Sequence, residues 1–196
     1  MKNNPKSAFV PVQRALANPT EASVRAALAD AISADACIQL CHPFGTITGA
    51  QMFNSLYAPL LDAMPDLERR DMIVLSGTTP EGQTWIGCMG NYMGTMVRPW
   101  LDIPPTGHLT HMRYHEFYKI DGDTITEAQI IWDIPELMMQ ANAWPMAPQL
   151  GKYLCTPAPM TQDGLSAAGD GQAAMDHVIN MLTDLCKHPA EGGPGV

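Results

Sequence analysis

Apolar residues recur at helical spacing early in the chain and at alternating spacing in its middle. After Thr20, the residues Val24, Ala27, Leu28, Ala31 and Ile32 fall on one stripe, which predicts a helix over 20–34. Thr20 is a good N-cap, and Glu21 suits the positive end of the helix dipole. Met52, Leu56 and Leu60, beside Phe53, Tyr57 and Leu61, predict a second helix over 48–63. Thr48 and Gln51 form a possible capping box there, and Pro59 would kink or end the helix. Residues 1–19 contain Pro5, Pro11 and Pro19 with little periodicity and read as an arm.

From Leu67 the period changes to two. Leu67–Leu75 and 83–96 are strand candidates around the turn Gly77–Gly82. Gly87, Gly90 and Gly94 within the second strand suggest bulges or bending. Residues 98–107 form a proline-rich loop. His111–Ile120 and Ile125–Asp133 read as paired strands around Asp121-Gly122-Asp123, a hairpin turn signal. A short helix begins at Pro135. After a Pro-, Gly- and Ser-rich stretch, an amphipathic helix follows at 172–187, with Met175, Val178, Ile179, Leu182 and Leu185 on its apolar side. The expected fold class is α+β, with helices packed into one face of a bent antiparallel sheet spanning 67–134.

Composition narrows the function. The 196 residues suggest one domain with appendages, and 46% hydrophobic against 16% charged residues is globular composition. The net charge of −9 offers no basic cluster, so no nucleic-acid partner is expected. No apolar run reaches a membrane span, and the N-terminus lacks a signal-peptide core, so the expected location is cytoplasmic, without membrane association. Cys37, Cys41, Cys88, Cys155 and Cys186 are odd in number and irregular in spacing. They read as free thiols.

The segment His108-x-x-His111-x-x-x-His115 invites a metal-site reading. In a strand, however, His111 and His115 lie about 13 Å apart, too far to share an ion, so no metal is expected. The other face of the strand presents Met112, Tyr114, Glu116 and Tyr118. Aromatics flanking one carboxylate suit an apolar pocket with one polar group. In the partner strand, Gln129, Ile131 and Asp133 share a face, and Asp133 lies in an otherwise uncharged run. A carboxylate held so becomes a better base near neutral pH. Equally, Asp133 could simply cap the helix that begins at Pro135.

Three segments together resemble the SnoaL-like polyketide cyclases of the nuclear transport factor 2-like superfamily. They are Ala63-Met64-Pro65-Asp66, then Asp102-Ile103-Pro104-Pro105-Thr106-Gly107, then Tyr118–Glu127 followed by Trp132-Asp133. The resemblance covers residues 20–146, leaving 1–19 as an N-terminal arm and 147–196 as a C-terminal extension with one helix. It implies a cone-shaped domain in which N-terminal helices close a strongly curved antiparallel sheet. It also implies catalysis without metal or organic cofactor. Asp133 matches the cyclases' acid/base aspartate, and Glu116 stands where they carry a histidine, a departure that bears on polyketide cyclisation itself.

The expected function is cofactor-independent acid/base proton transfer next to a carbonyl of a small hydrophobic molecule: aldol cyclisation, isomerisation or ester hydrolysis. Asp133 and Glu116 would be catalytic and would share one enclosed cavity. Tyr114, Tyr92, Trp85 and His42 would bind the substrate. The alternative is a non-catalytic ligand-binding or dimerisation module. A homodimer through the sheet face bearing His111, Arg113 and His115 is expected.

Overall fold

The computed structural model describes residues 5–151, 157–163 and 171–187. After a 3₁₀ turn at Pro5–Ala8, helix α1 runs Val10–Ala17 and α2 runs Glu21–Ala31. The stretch read as an arm therefore carries a helix. Pro11 lies in its first turn, where a missing N–H costs nothing. Phe9, Val12 and Leu16 are fully buried, so α1 is part of the core. Thr20 caps α2 as expected: its Oγ1 accepts from the Ser23 N–H at 3.1 Å.

The chain then leaves helix earlier than expected. Ile32–Leu40 is strand β1, followed by β2 (Thr46–Thr48). Thr48 N donates to Gln51 Oε1 at 2.9 Å, as the predicted capping pair requires. A π-helical turn at Phe53–Tyr57 then leads into α3 (Ala58–Ala63). Pro59, which cannot donate, is accommodated here without ending the element: Ala58 N reaches back to Phe53 O across the widened turn.

Four long strands complete the sheet: β3 (Glu68–Thr78), β4 (Thr84–Thr95), β5 (Leu109–Asp121) and β6 (Thr124–Trp132). Helix α4 (Ile134–Gln140) follows β6. The strand order is β2-β1-β6-β5-β4-β3. The predicted β3–β6 meander is antiparallel throughout. The sheet as a whole is mixed, because β1 adds to β6 in parallel, Ile38 opposite Ala128. No local pattern announces that pairing, which joins residues some ninety positions apart. Register shifts at Ile32/Cys37, Asp71/Ile73 and Lys119/Ile120 bend the sheet. The result is an α+β fold with a curved open sheet.

One side of the sheet is lined by Ile86, Tyr92, Met112, Tyr114, Tyr118, Ala128, Ile130 and Trp132, all at most 2% exposed. Helices α1 and α2 and the π-turn bury Leu16, Leu28, Leu56 and Tyr57 in the same core. The edge strand β3 is covered in part by residues 157–163: Val74 N donates to Gln162 O at 2.7 Å, and Gln162 Nε2 to Asp71 O at 3.2 Å.

Residues 165–196 form a separate unit, in which α5 (Gly171–Leu185) carries the predicted apolar stripe. Cys155 lies outside the described residues. No helix among the described residues is long and apolar enough to cross a membrane.

Candidate functional site: a buried carboxylate among aromatic hydroxyls

Strand alternation sends Met112, Tyr114, Glu116 and Tyr118 inward, as the sequence predicts, and Glu116 is completely buried. A buried carboxylate needs every lone pair satisfied. Oε2 accepts from Arg69 Nη1 at 2.5 Å and from the Tyr118 hydroxyl at 2.6 Å. Oε1 accepts from Trp132 Nε1 at 2.8 Å and from the Tyr92 hydroxyl at 3.3 Å. Four side chains from β3, β4, β5 and β6 thus meet on one anion.

Arg69, 3% exposed, joins this carboxylate to a second. Its Nε and Nη2 donate to Asp71 Oδ1 at 3.1 and 2.9 Å, and its Nη1 also reaches the Tyr92 hydroxyl at 2.9 Å. Asp71 further accepts from Tyr114 at 2.7 Å and from Gln13 of α1 at 3.0 Å. Gln13 therefore ties α1 to the cluster. The guanidinium also lies over the Tyr114 ring at 4.1 Å. Burial is the largest single influence and works to lower the Arg69 pKa, but Glu116 together with Tyr92, Tyr114 and Tyr118 raises it well above the ordinary range, so the group stays charged.

Gly90 makes the reach of Tyr114 possible. Tyr114 is the cross-strand neighbour of Gly90, and its ring crosses β4 to reach Asp71 on β3. A Cβ on Gly90 would lie 2.3 Å from the Tyr114 hydroxyl oxygen and 2.1 Å from Arg70 O.

The cluster ends in a chain of hydroxyls. Tyr57 and Tyr92 are 3.2 Å apart, oxygen to oxygen. Tyr92 has one proton, and the Glu116 carboxylate is the stronger acceptor, so Tyr57 supplies the proton between the two phenols. Burial first, and the Glu116 charge second, push Tyr57, Tyr92 and Tyr118 well above the ordinary phenol range. All three are neutral donors at accessible pH. Burial likewise raises the Cys88 thiol, which removes it as a nucleophile.

Of the residues the sequence pointed to, Glu116, Tyr114 and Tyr92 converge. Asp133, Trp85 and His42 do not. Asp133 shares a face with Ile131 as expected, but that face is the outer one. Tyr114 stands opposite Trp132, and it is Trp132 that turns inward toward Glu116. The Asp133 side chain is about one-third exposed. Its Oδ1 accepts from Glu136 N at 3.2 Å as the N-cap of α4, and its Oδ2 lies 3.9 Å from Arg113 Nη2. The shared-cavity expectation for Asp133 and Glu116 is therefore corrected in favour of the capping alternative. Trp85 lies half-buried on the outer face opposite Lys119, and its Nε1 is 3.4 Å from Gln83 Oε1. His42 is exposed in the turn before Pro43.

Arg69, Asp71 and Tyr57 escape a sequence reading. Glu68-Arg69-Arg70-Asp71 looks like a solvated strand start. The usable signal is its parity: Leu67, Arg69 and Asp71 alternate onto one face of β3, and Leu67 must be buried.

No protein-family model and no curated protein matches the sequence. Solved structures do match. IdmH of Streptomyces antibioticus, a candidate polyketide cyclase, is 16% identical with a TM-score of 0.59, over 71% of this chain and 99% of that one. A SnoaL-like polyketide cyclase of Agrobacterium tumefaciens is 16% identical with a TM-score of 0.54, over 70% of this chain and 98% of that one. The chain has the SnoaL-like fold. AclR of Streptomyces galilaeus, a candidate hydroxylase, shares the same architecture at 14% identity and a TM-score of 0.59, over 74% of this chain and 89% of that one. The SnoaL-like fold therefore stands on geometry at low identity, and it leaves the reaction open.

Proposed function

We propose that this SnoaL-like protein is a cofactor-independent enzyme for acid/base proton transfer beside a carbonyl of a small hydrophobic substrate, with the Glu116 cluster as its polar centre. One observation carries the reading. A fully buried carboxylate sits at the end of a hydroxyl chain, Tyr57 to Tyr92 to Glu116, inside an aromatic core. Burying charges is costly, and a fold does not require it for packing.

The chain can move a proton without forming a free tyrosinate. As Tyr57 Oη takes the proton from the carbon next to the carbonyl, the Tyr57 proton passes to Tyr92 and the Tyr92 proton to Glu116. The substrate keeps the electron pair as an enolate. The reverse passage returns the proton at the same or another carbon. Arg69 keeps the pair with Glu116 neutral, and Tyr118 and Trp132 hold the carboxylate in place.

The test is hydrogen–deuterium exchange of the methyl protons of 2-acetylnaphthalene in D₂O, followed by NMR. Exchange above buffer is expected from the native protein. Tyr57→Phe, which leaves all four donors on Glu116 in place, should lower it by about 10²–10⁴-fold. Asp133→Asn should leave it within about twofold if the capping geometry is its whole role. Ketone binding with no exchange above buffer would favour the second reading, a non-catalytic binding module. That reading has its own support: every lone pair of Glu116 already has a donor.

A further inference from the structure

The proline-rich loop 98–107 holds a polar group that the Glu116 cluster does not use. Trp100 is 3% exposed, and among the described residues its indole Nε1 has no hydrogen-bond partner. Buried polar groups are nearly always paired, and an indole N–H can only donate. A phenylalanine would fill an apolar gap without leaving that donor bare.

The loop fixes the ring firmly. Trp100 N donates to Ile103 O at 3.1 Å, and Ile103 N returns a bond to Trp100 O at 2.9 Å. The two residues between them have left-handed backbones, Leu101 at φ +52° and Asp102 at φ +61°. That conformation is unfavourable for leucine, and such strain gathers where a side chain must be held for use.

What surrounds the indole is aromatic. Its ring centroid lies 6.1 Å from Phe44 and 6.1 Å from Trp132. Phe44 is half-buried and links this trio to the surface. Trp132 links it inward: its ring is 6.2 Å from Tyr57, and its own N–H is bonded to Glu116. The free donor's ring and the Tyr57 end of the hydroxyl chain therefore both flank the Trp132 ring.

We propose that Trp100 is a specificity-determining ligand contact of this site. Its indole N–H donates to an acceptor oxygen of a planar aromatic ketone whose rings lie against Phe44, Trp100 and Trp132. The inference rests on the functional reading above for the location of the site. Flat apolar rings suit the trio, and only an acceptor oxygen satisfies the bare donor.

The test compares 2-acetylnaphthalene with 2-isopropylnaphthalene, which has nearly the same shape but no acceptor. Binding is measured by ligand-observed NMR. The native protein should prefer the ketone by roughly three- to tenfold, the worth of one neutral hydrogen bond. Trp100→Phe should abolish that preference while changing hydrocarbon affinity little. In ¹⁵N-tryptophan-labelled native protein, the Trp100 indole N–H resonance should move downfield with the ketone and not with the hydrocarbon. This second measurement decides the matter if Trp100→Phe fails to fold. No preference in the native protein, a preference retained in Trp100→Phe, or an indole resonance that responds equally to both compounds overturns the proposal. Methyl-proton exchange without ketone preference would remove Trp100 and leave the proton-transfer reading standing. Preference without exchange would do the reverse.

Discussion

Replacing Arg69 by methionine isolates the electrostatic core of this fold. Methionine retains much of the stem volume and removes the cation. Four hydrogen bonds go with it: two from Nη1, to Glu116 and Tyr92, and one each from Nε and Nη2 to Asp71. Glu116 then keeps three of its four donors, and Asp71 keeps those from Tyr114 and Gln13. Two carboxylates face each other in the core without a cation between them. Breaking a buried ion pair on one side typically costs about 3–5 kcal/mol. Against a total stability of roughly 5–15 kcal/mol, that is a large fraction. Urea unfolding at pH 7, read from the fluorescence of buried Trp100 and Trp132, should show a lower midpoint with little change in slope. Adding Glu116→Gln to Arg69→Met removes one uncompensated charge. The double variant should recover about 1–3 kcal/mol relative to the additive expectation. A loss below about 1 kcal/mol in Arg69→Met, or no coupling with Glu116→Gln, would mean that the ion pair is not what holds this cluster.

Gly90→Ala should destabilise by about 3 kcal/mol, because its Cβ would meet Arg70 O and the Tyr114 hydroxyl, whereas Gly77→Ala, with nothing near, should stay within about 0.5 kcal/mol in the same urea assay. Asp66 accepts from Thr95 N at 2.6 Å and Thr95 Oγ1 at 2.7 Å, and the Thr95 hydroxyl contact leads in lowering its pKa. Its contribution, about 1 kcal/mol at this exposed site, is present above the unfolded carboxylate value near 3.9 and is lost as pH falls through the lower folded value. Asp66→Ala should therefore lose stability at pH 6 and lose much less at pH 2.5, as thermal unfolding would show. On the outer sheet face, Leu75 and Phe117 are each 45% exposed and Ile131 is 63% exposed, beside Arg113 and His115. A homodimer through this face is expected, and light scattering should report a dimer mass that Ile131→Lys reduces to a monomer; a native monomer at high concentration would refute it.

What the sequence determined is what local periodicity controls. The turn at Gly122, φ +62°, pairs Asp121 with Thr124, as the hairpin signal required, and the inward row Met112-Tyr114-Glu116-Tyr118 follows from a period of two. The Thr20 cap is likewise a contact over three residues, and it formed where it was read. Three features depended on distant partners. Helix α1 was obscured by Pro5, Pro11 and Pro19 in and around it, and its core position shows in the burial of Val12 and Leu16 and in the packing of Phe9, just before it, against Tyr118, 4.6 Å between ring centroids. Strand β1 reads as a continuation of an Ala-rich helix until β6 offers it a parallel edge. Asp133 is the sharpest case. Parity groups it correctly with Ile131, yet alternation is symmetric and cannot say which face is inside. The helices choose that face, and the cross-strand match of Tyr114 with Trp132 puts the indole, not the aspartate, against Glu116. The same asymmetry turned Arg69 and Asp71 inward. A charge can enter a core only when its partners come from strands folded beside it, and that is settled in three dimensions rather than along the chain.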